Sequence, residues 1–170
     1  GIMAFTVSVN VDRSIEVACD VASAFALVSD VPKSVSHLPK VERLTDLGGG
    51  AYRLETEKIG VEKYSLQTIY ASQYTHDAKK KTVTWTPIRG EGNALVSGSW
   101  EVTATADGKT RLHLVNRGEM QFPFPALVKA LVTPFVTREF EGLIAQYLKN
   151  LTRTLESGGT AKAPKKGAKK

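Results

Sequence analysis

From Phe5 to Val17 the odd positions read Phe, Val, Val, Val, Arg, Ile, Val, and the even positions read Thr, Ser, Asn, Asp, Ser, Glu. Alternation with a period of two marks a strand that turns one face to a core. Arg13 is the charged exception on the apolar side. Asp20 is placed to cap a helix running to about Ser29, with Ala24, Phe25 and Val28 facing inward. Ser29-Asp30-Val31-Pro32 stops that helix and starts a second short one ending near Leu38-Pro39. Strands are predicted at Val41–Leu47, Ala51–Ile59, Glu62–Gln73, Thr82–Ile88, Asn93–Ala104 and Thr110–Phe122. Gly48–Gly50, Gly60, His76–Lys81, Gly90–Gly92 and Asp107-Gly108 connect them. Connections this short pair neighbouring strands antiparallel. Phe140, Leu143, Ile144, Tyr147, Leu148, Leu151 and Leu155 then recur at helical spacing, an apolar stripe wide enough to cover a sheet. Thr133-Pro134 reads as the N-cap and first residue of that helix, where proline's missing N–H costs nothing.

The class implied is α+β: a curved antiparallel sheet of about seven strands around a long C-terminal helix, with two short helices after the first strand. That order of elements is the order of a helix-grip fold. The runs AFALVSDVPKSVSHLPKVERLTDLGGGAYRLE and FEGLIAQYLKNL carry a closer likeness. The chain resembles the START-like, or Bet v 1-like, superfamily. Within it the likeness is to the bacterial branch of polyketide cyclase/dehydrase and lipid-transport proteins, over about residues 7 to 156. An aromatic often sits between the first Asp-x-Pro and the next proline in that branch. Here the stretch is Lys33-Ser34-Val35-Ser36-His37.

A sheet curled around a helix leaves a cavity, and polar residues on the inward stripes are its candidate anchors, because an unpaired buried polar group is costly. The exceptions to the apolar pattern are Arg13, Tyr64, Thr68, Tyr70 and Asn116. With Trp85 and Trp100 from the strands and Phe135, Phe140 and Ile144 from the helix, they form the expected ligand-binding set. The expected cavity holds at least about 300 Å³. Arg13, Tyr64 and Asn116 would orient the ligand's polar end. No catalytic residue, cofactor or metal is expected. His37 and His76 fall in connections, His113 lies on the polar face of its strand, and none has a partner at zinc-site spacing. No histidine, cysteine or carboxylate falls on the inward stripes to serve as a base.

What the resemblance implies is a lipid, sterol, quinone or polyketide-like ligand, carried or sensed in an internal cavity rather than transformed. An aromatase/cyclase-type enzyme acting on a polyketide is the alternative. A protein-interaction module with a filled core is the third reading.

Charge changes the picture in one place. The chain of 170 residues carries a formal +6, but residues 157–170 hold five lysines and no acid, so the rest carries +1. Residues 4–156 therefore read as one nearly neutral ligand-binding domain, and 157–170 as a disordered Lys-rich tail with no large apolar residue. Pro123–Val136 contains one charge. The expectation is an apolar rim over 122–136 that meets an anionic membrane surface together with the tail. No specific nucleic-acid partner is expected, and the protein is expected to be a monomer. A single cysteine, no basic and apolar leader, and no apolar run of membrane-spanning length point to a cytoplasmic protein, with peripheral attachment at the membrane as its extension.

Overall fold

The computed structural model describes residues 4–158. Strand β1 (Phe5–Val17) is followed by helices α1 (Val21–Ser29) and α2 (Val31–Val35). Six strands come next: β2 (Val41–Gly48), β3 (Ala51–Val61), β4 (Tyr64–Asp77), β5 (Thr82–Ile88), β6 (Ala94–Ala104) and β7 (Thr110–Phe122). A short 3-10 turn (Ala126–Val128) leads into α3 (Lys129–Gly158). The strands form one antiparallel sheet in the order β1-β7-β6-β5-β4-β3-β2, which places β1 and β2 at its edges. This is the helix-grip arrangement.

Local chemistry accounts for the two short helices. The carboxylate of Asp20 accepts from the Ser23 N–H at 2.7 Å, and that of Asp30 from the Lys33 N–H at 3.1 Å. Each satisfies a donor left open by the first helical turn. Asp30 also ends α1, so one residue closes one helix and opens the next.

The last helix departs from expectation at its start. It begins at Lys129, so Thr133-Pro134 is not its cap and Pro134 lies inside it. A proline there removes the N–H that would bond the Ala130 carbonyl. Val132 and Val136 on either side are wholly buried, and packing of these first turns overrides the local start signal at Thr133-Pro134. Its C-terminal end reaches Gly158, past the expected domain end at 156, and the five tail lysines lie outside the described residues.

Strand β3 also departs from simple alternation. A register shift between Glu55 and Lys58 in its pairing with β4 puts Leu54 and Ile59 both in the core. A bulge of this kind adds a residue and re-aims the side chains beyond it. Two apolar clusters fill the concave side. One joins α1, the sheet and the C-terminal half of α3 through Val17, Leu27, Leu112, Leu151 and Leu155. The other joins β1, β7 and the N-terminal half of α3 through Val7, Phe122, Val132 and Val136. Among the described residues no helix is long and apolar enough to cross a membrane.

Candidate functional site

Two adjoining cavities lie between the concave face of the sheet and α3, each about 70 Å³. The first is walled by α1 and α2 (Val28, Val31, Ser34, Val35), by Tyr70, Tyr74, Trp85, Trp100 and Leu114, and by Tyr147. The second is walled by Val9, Pro39, Thr56, Ile59, Thr68, Val96, Met120, Phe140 and Leu143. Leu38, Leu54, Tyr70, Asn116 and Ile144 line both and meet between them. The single space of at least about 300 Å³ typical of a ligand pocket is therefore not what the fold holds as it stands. The side chains at the junction divide a smaller void.

The polar geometry is concentrated in the first cavity. The indole N–H of Trp85 donates to Asn116 Oδ1 at 3.0 Å. Trp85 pairs with Gly98 on β6, and a Cβ at that glycine would lie 2.6 Å from the indole, so the close approach needs glycine. Tyr74 stacks on Trp85 with ring centroids 5.6 Å apart, and Tyr52 meets Tyr74 edge-on at 5.9 Å. Ser34 Oγ and the Tyr147 hydroxyl are 2.5 Å apart. Thr68 Oγ1 donates to Met120 Sδ at 3.8 Å, a weak bond. The hydroxyls of Tyr70 and Tyr74 bond to no described residue.

Burial pushes the Tyr147 phenol up to about 12, with the Ser34 and Trp100 side chains opposing the shift. Burial likewise raises Tyr70 and Tyr74, with the neighbouring tyrosines adding to it. Both rings keep some accessible surface. They line the first cavity, so protein rather than bulk water sets their ionisation. Tyr70, Tyr74 and Tyr147 are accordingly neutral donors through the ordinary pH range. Among the described residues no carboxylate, lysine, arginine, histidine or cysteine lines either cavity, and no group of three or more His, Cys, Asp or Glu could hold a metal ion.

Of the residues expected at a site, Thr68, Tyr70, Trp85, Trp100, Asn116, Phe140 and Ile144 come together here. Three do not. Arg13 is exposed opposite Leu114, and because Asp12, Arg13 and Ser14 are all exposed, neither face of β1 is covered at that point. Its side chain belongs to solvent. Tyr64 stands at the first residue of β4, edge-on to Phe124 at 5.4 Å with the Lys63 ammonium over its ring, outside both cavities. Phe135 is half-buried and reaches neither cavity, since Val132 and Val136 take the inward positions of that turn. Ser34 and Tyr74 escape the sequence pattern. Tyr74 falls one residue beyond the expected end of β4 at Gln73, and following the alternation Tyr70, Ser72, Tyr74 would have found it. Ser34 sits in a helix too short to show a period.

The family pattern described as polyketide cyclase / dehydrase and lipid transport matches residues 8–156. The chain belongs to that family. No curated protein sequence matches it significantly. Solved structures add the fold. A START superfamily protein from Mycobacterium smegmatis superposes with a TM-score of 0.63 at 15% identity, over 87% of this chain and 97% of that one. Norcoclaurine synthase from Thalictrum flavum, in complex with dopamine and hydroxybenzaldehyde, gives 0.57 at 14% identity, over 90% and 89%. The Zhui aromatase/cyclase from Streptomyces sp. R1128 gives 0.52 at 15% identity, over 89% and 93%. At such identities the likeness shows the fold alone, and it agrees with the family match in pointing to a START-like, Bet v 1-like chain. Cyclase chemistry and lipid transport both handle hydrophobic molecules, so binding of a hydrophobic ligand is a property at the level of the family.

Proposed function

We propose that this chain binds a small hydrophobic molecule between its sheet and α3, as a carrier or sensor rather than a catalyst. The observation that carries this reading is the pair of mainly apolar cavities between sheet and α3, joined at Tyr70, Asn116 and Ile144. Among the described residues the walls hold no carboxylate, histidine, lysine or cysteine, and burial pushes the three lining phenols away from the pH range of an efficient base, which favours binding over the aromatase/cyclase alternative. A ligand of lipid size needs several hundred Å³, so binding requires the N-terminal half of α3 and the α2–β2 connection to part. Lys40 and Glu139 bridge that seam at 3.3 Å, and both side chains are substantially exposed. An exposed pair adds at most about 1 kcal/mol, a weak barrier to opening. Native mass spectrometry of the purified chain, before and after incubation with a lipid extract, tests the reading. Retained apolar molecules support it, and a chain that neither carries nor takes up any refutes it.

A specific observation favours a membrane surface as a second partner. Leu127 is 92% and Leu131 54% exposed, well beyond what a large apolar residue needs. Pro123, Pro125, Ala126, Ala130 and Pro134 around them are exposed too, with Lys129 on the same segment. Such a rim suits shallow insertion beside anionic headgroups. Helix α3 has 30 residues, about 45 Å of helix, with the rim at one end and Gly158 at the other. The 12 residues after Gly158 span about 40 Å when fully extended, comparable to the helix rise from Leu131 to Gly158, so the tail would supply long-range attraction and the rim insertion. Truncation after Gly158 should weaken long-range attraction to anionic vesicles, whereas Leu131→Glu should weaken insertion with the tail intact. Full-length protein that ignores anionic vesicles at low salt would end this second reading.

A further inference from the structure

The walls of both cavities can be read for what they would refuse as well as what they would accept. Among the described residues no side chain charged at neutral pH lines either one. A carboxylate, phosphate or ammonium brought there would lose its hydration and find no counter-charge, an exclusion strong enough to decide the ligand class.

The uncommitted hydrogen-bonding atoms narrow it further. The Ser34 and Tyr147 hydroxyls satisfy one another at 2.5 Å. Asn116 Oδ1 is already taken by the Trp85 N–H at 3.0 Å, which fixes the amide and leaves its NH₂, a group that can only donate. The hydroxyls of Tyr70 and Tyr74 have no partner among the described residues, and burial holds both protonated. Their oxygens can also accept, but each phenol keeps a free hydrogen and the Asn116 NH₂ can only donate, so three donors converge here. Tyr70 and Asn116 also line both cavities, whereas the second is otherwise almost wholly apolar. These two donors therefore stand at the junction, facing a greasy compartment on one side.

We infer that the ligand is an uncharged molecule whose polar end is a carbonyl-type oxygen, held at the junction by Tyr70 and the Asn116 amide with Tyr74 beside them in the first cavity, and with its apolar remainder in the second cavity. This rests on the binding role proposed above and adds a selection by charge and by hydrogen-bond sense. Free fatty acids, phosphate-bearing lipids and amines are excluded by it. Trp85 acts as a positioning residue that keeps the Asn116 amide turned toward the ligand.

Three probes of similar size separate the terms: acetophenone (a neutral acceptor), ethylbenzene (no acceptor) and benzoate (an anion). Binding of each to the full chain is measured near neutral pH by ligand-observed NMR and calorimetry. Acetophenone should bind about three- to tenfold tighter than ethylbenzene, the range of one net hydrogen bond. Benzoate should bind at least about tenfold weaker than acetophenone. Tyr70→Phe and Asn116→Leu should each remove most of the acetophenone advantage and leave ethylbenzene within about twofold. Should Asn116→Leu fail to fold, Tyr74→Phe takes its place, because it deletes a hydroxyl that bonds to no described residue. Equal binding of acetophenone and ethylbenzene, or benzoate on a par with acetophenone, overturns the selection while leaving the binding role standing. Failure of all three probes to bind overturns both.

Discussion

The two ends of α3 are built differently. Toward its C-terminus Ile144, Tyr147, Leu148, Leu151 and Leu155 are all buried in one cluster. That half is also tied down by polar contacts. His37 Nε2 lies 2.7 Å from Thr154 Oγ1, the Asn150 amide donates to the His37 carbonyl at 2.9 Å, and the Ala18 N–H donates to Glu156 at 2.9 Å. Toward its N-terminus Val132 and Val136 are buried, but Leu127 and Leu131 face out and Phe140 and Leu143 border the second cavity. Pro134 interrupts the backbone bonding there, and Thr133 Oγ1 is buried with no partner among the described residues. The same helix is thus a wall at one end and a cover at the other. Opening free energy follows local packing and satisfied polar groups, so movement that admits a ligand belongs to the N-terminal half.

The largest expected effect tests the wall. Leu151→Ala should cost about 2–5 kcal/mol, the range for a fully buried leucine, while Leu143→Ala at the cavity edge should cost about 1 kcal/mol. Urea denaturation of both variants reads the contrast, and equal losses would erase the distinction between the ends.

Tyr147→Phe comes next. It strands the buried Ser34 hydroxyl and should cost about 1–2 kcal/mol. The same residue gives the anchored end a pH signature. Its phenol is held at about 12 against an ordinary value of 10.0, so the fold favours the neutral form. That contribution is complete below pH 10 and is lost as the pH rises from 10 through 12. Melting temperature against pH should therefore fall less steeply over that window in Tyr147→Phe than in the wild type, with Tyr70 and Tyr74 supplying the remaining slope. A superimposable pair of curves would mean that the phenol is not enclosed.

Two small effects sharpen the cover. Lys40→Ala should change stability by no more than about 1 kcal/mol, as expected of an exposed pair, and should speed uptake of a hydrophobic fluorophore in stopped flow. A slower or unchanged rate would place the opening elsewhere. Leu131→Glu should leave the denaturation midpoint within about 0.5 kcal/mol of wild type, because the residue packs little. A larger loss would show that the rim is part of the core.

Period and punctuation carried most of the architecture. The spans of β1, β5 and β7, the Asp20 cap of α1, the break at Asp30 and the buried stripe on α3 were all legible, because each depends on neighbours a few residues away. Seven of the ten expected site residues line the cavities for a related reason. A polar or aromatic residue on an inward stripe has no other place to go once its strand is covered. Arg13 failed because alternation reports which face a residue takes and not whether anything covers that face, and β1 is an edge strand left open at that point. Tyr64 and Phe135 failed because each stripe continues past the cavity into ordinary packing.

The amino-acid sequence determined the elements, their order, the family and the chemical character of the inward faces, since all of these are written in local period and residue type. Tertiary structure alone decided where α3 begins, because burial of Val132 and Val136 outweighed a proline that local chemistry reads as a start. It alone decided the size and division of the cavity, which depends on how closely Ile144, Tyr70 and Asn116 approach from three separate elements of the fold. It also set which hydrogen-bonding atoms stay uncommitted, as the Trp85–Asn116 contact shows. Each of these is a distance between groups far apart in sequence, and residue spacing along a chain does not encode such distances.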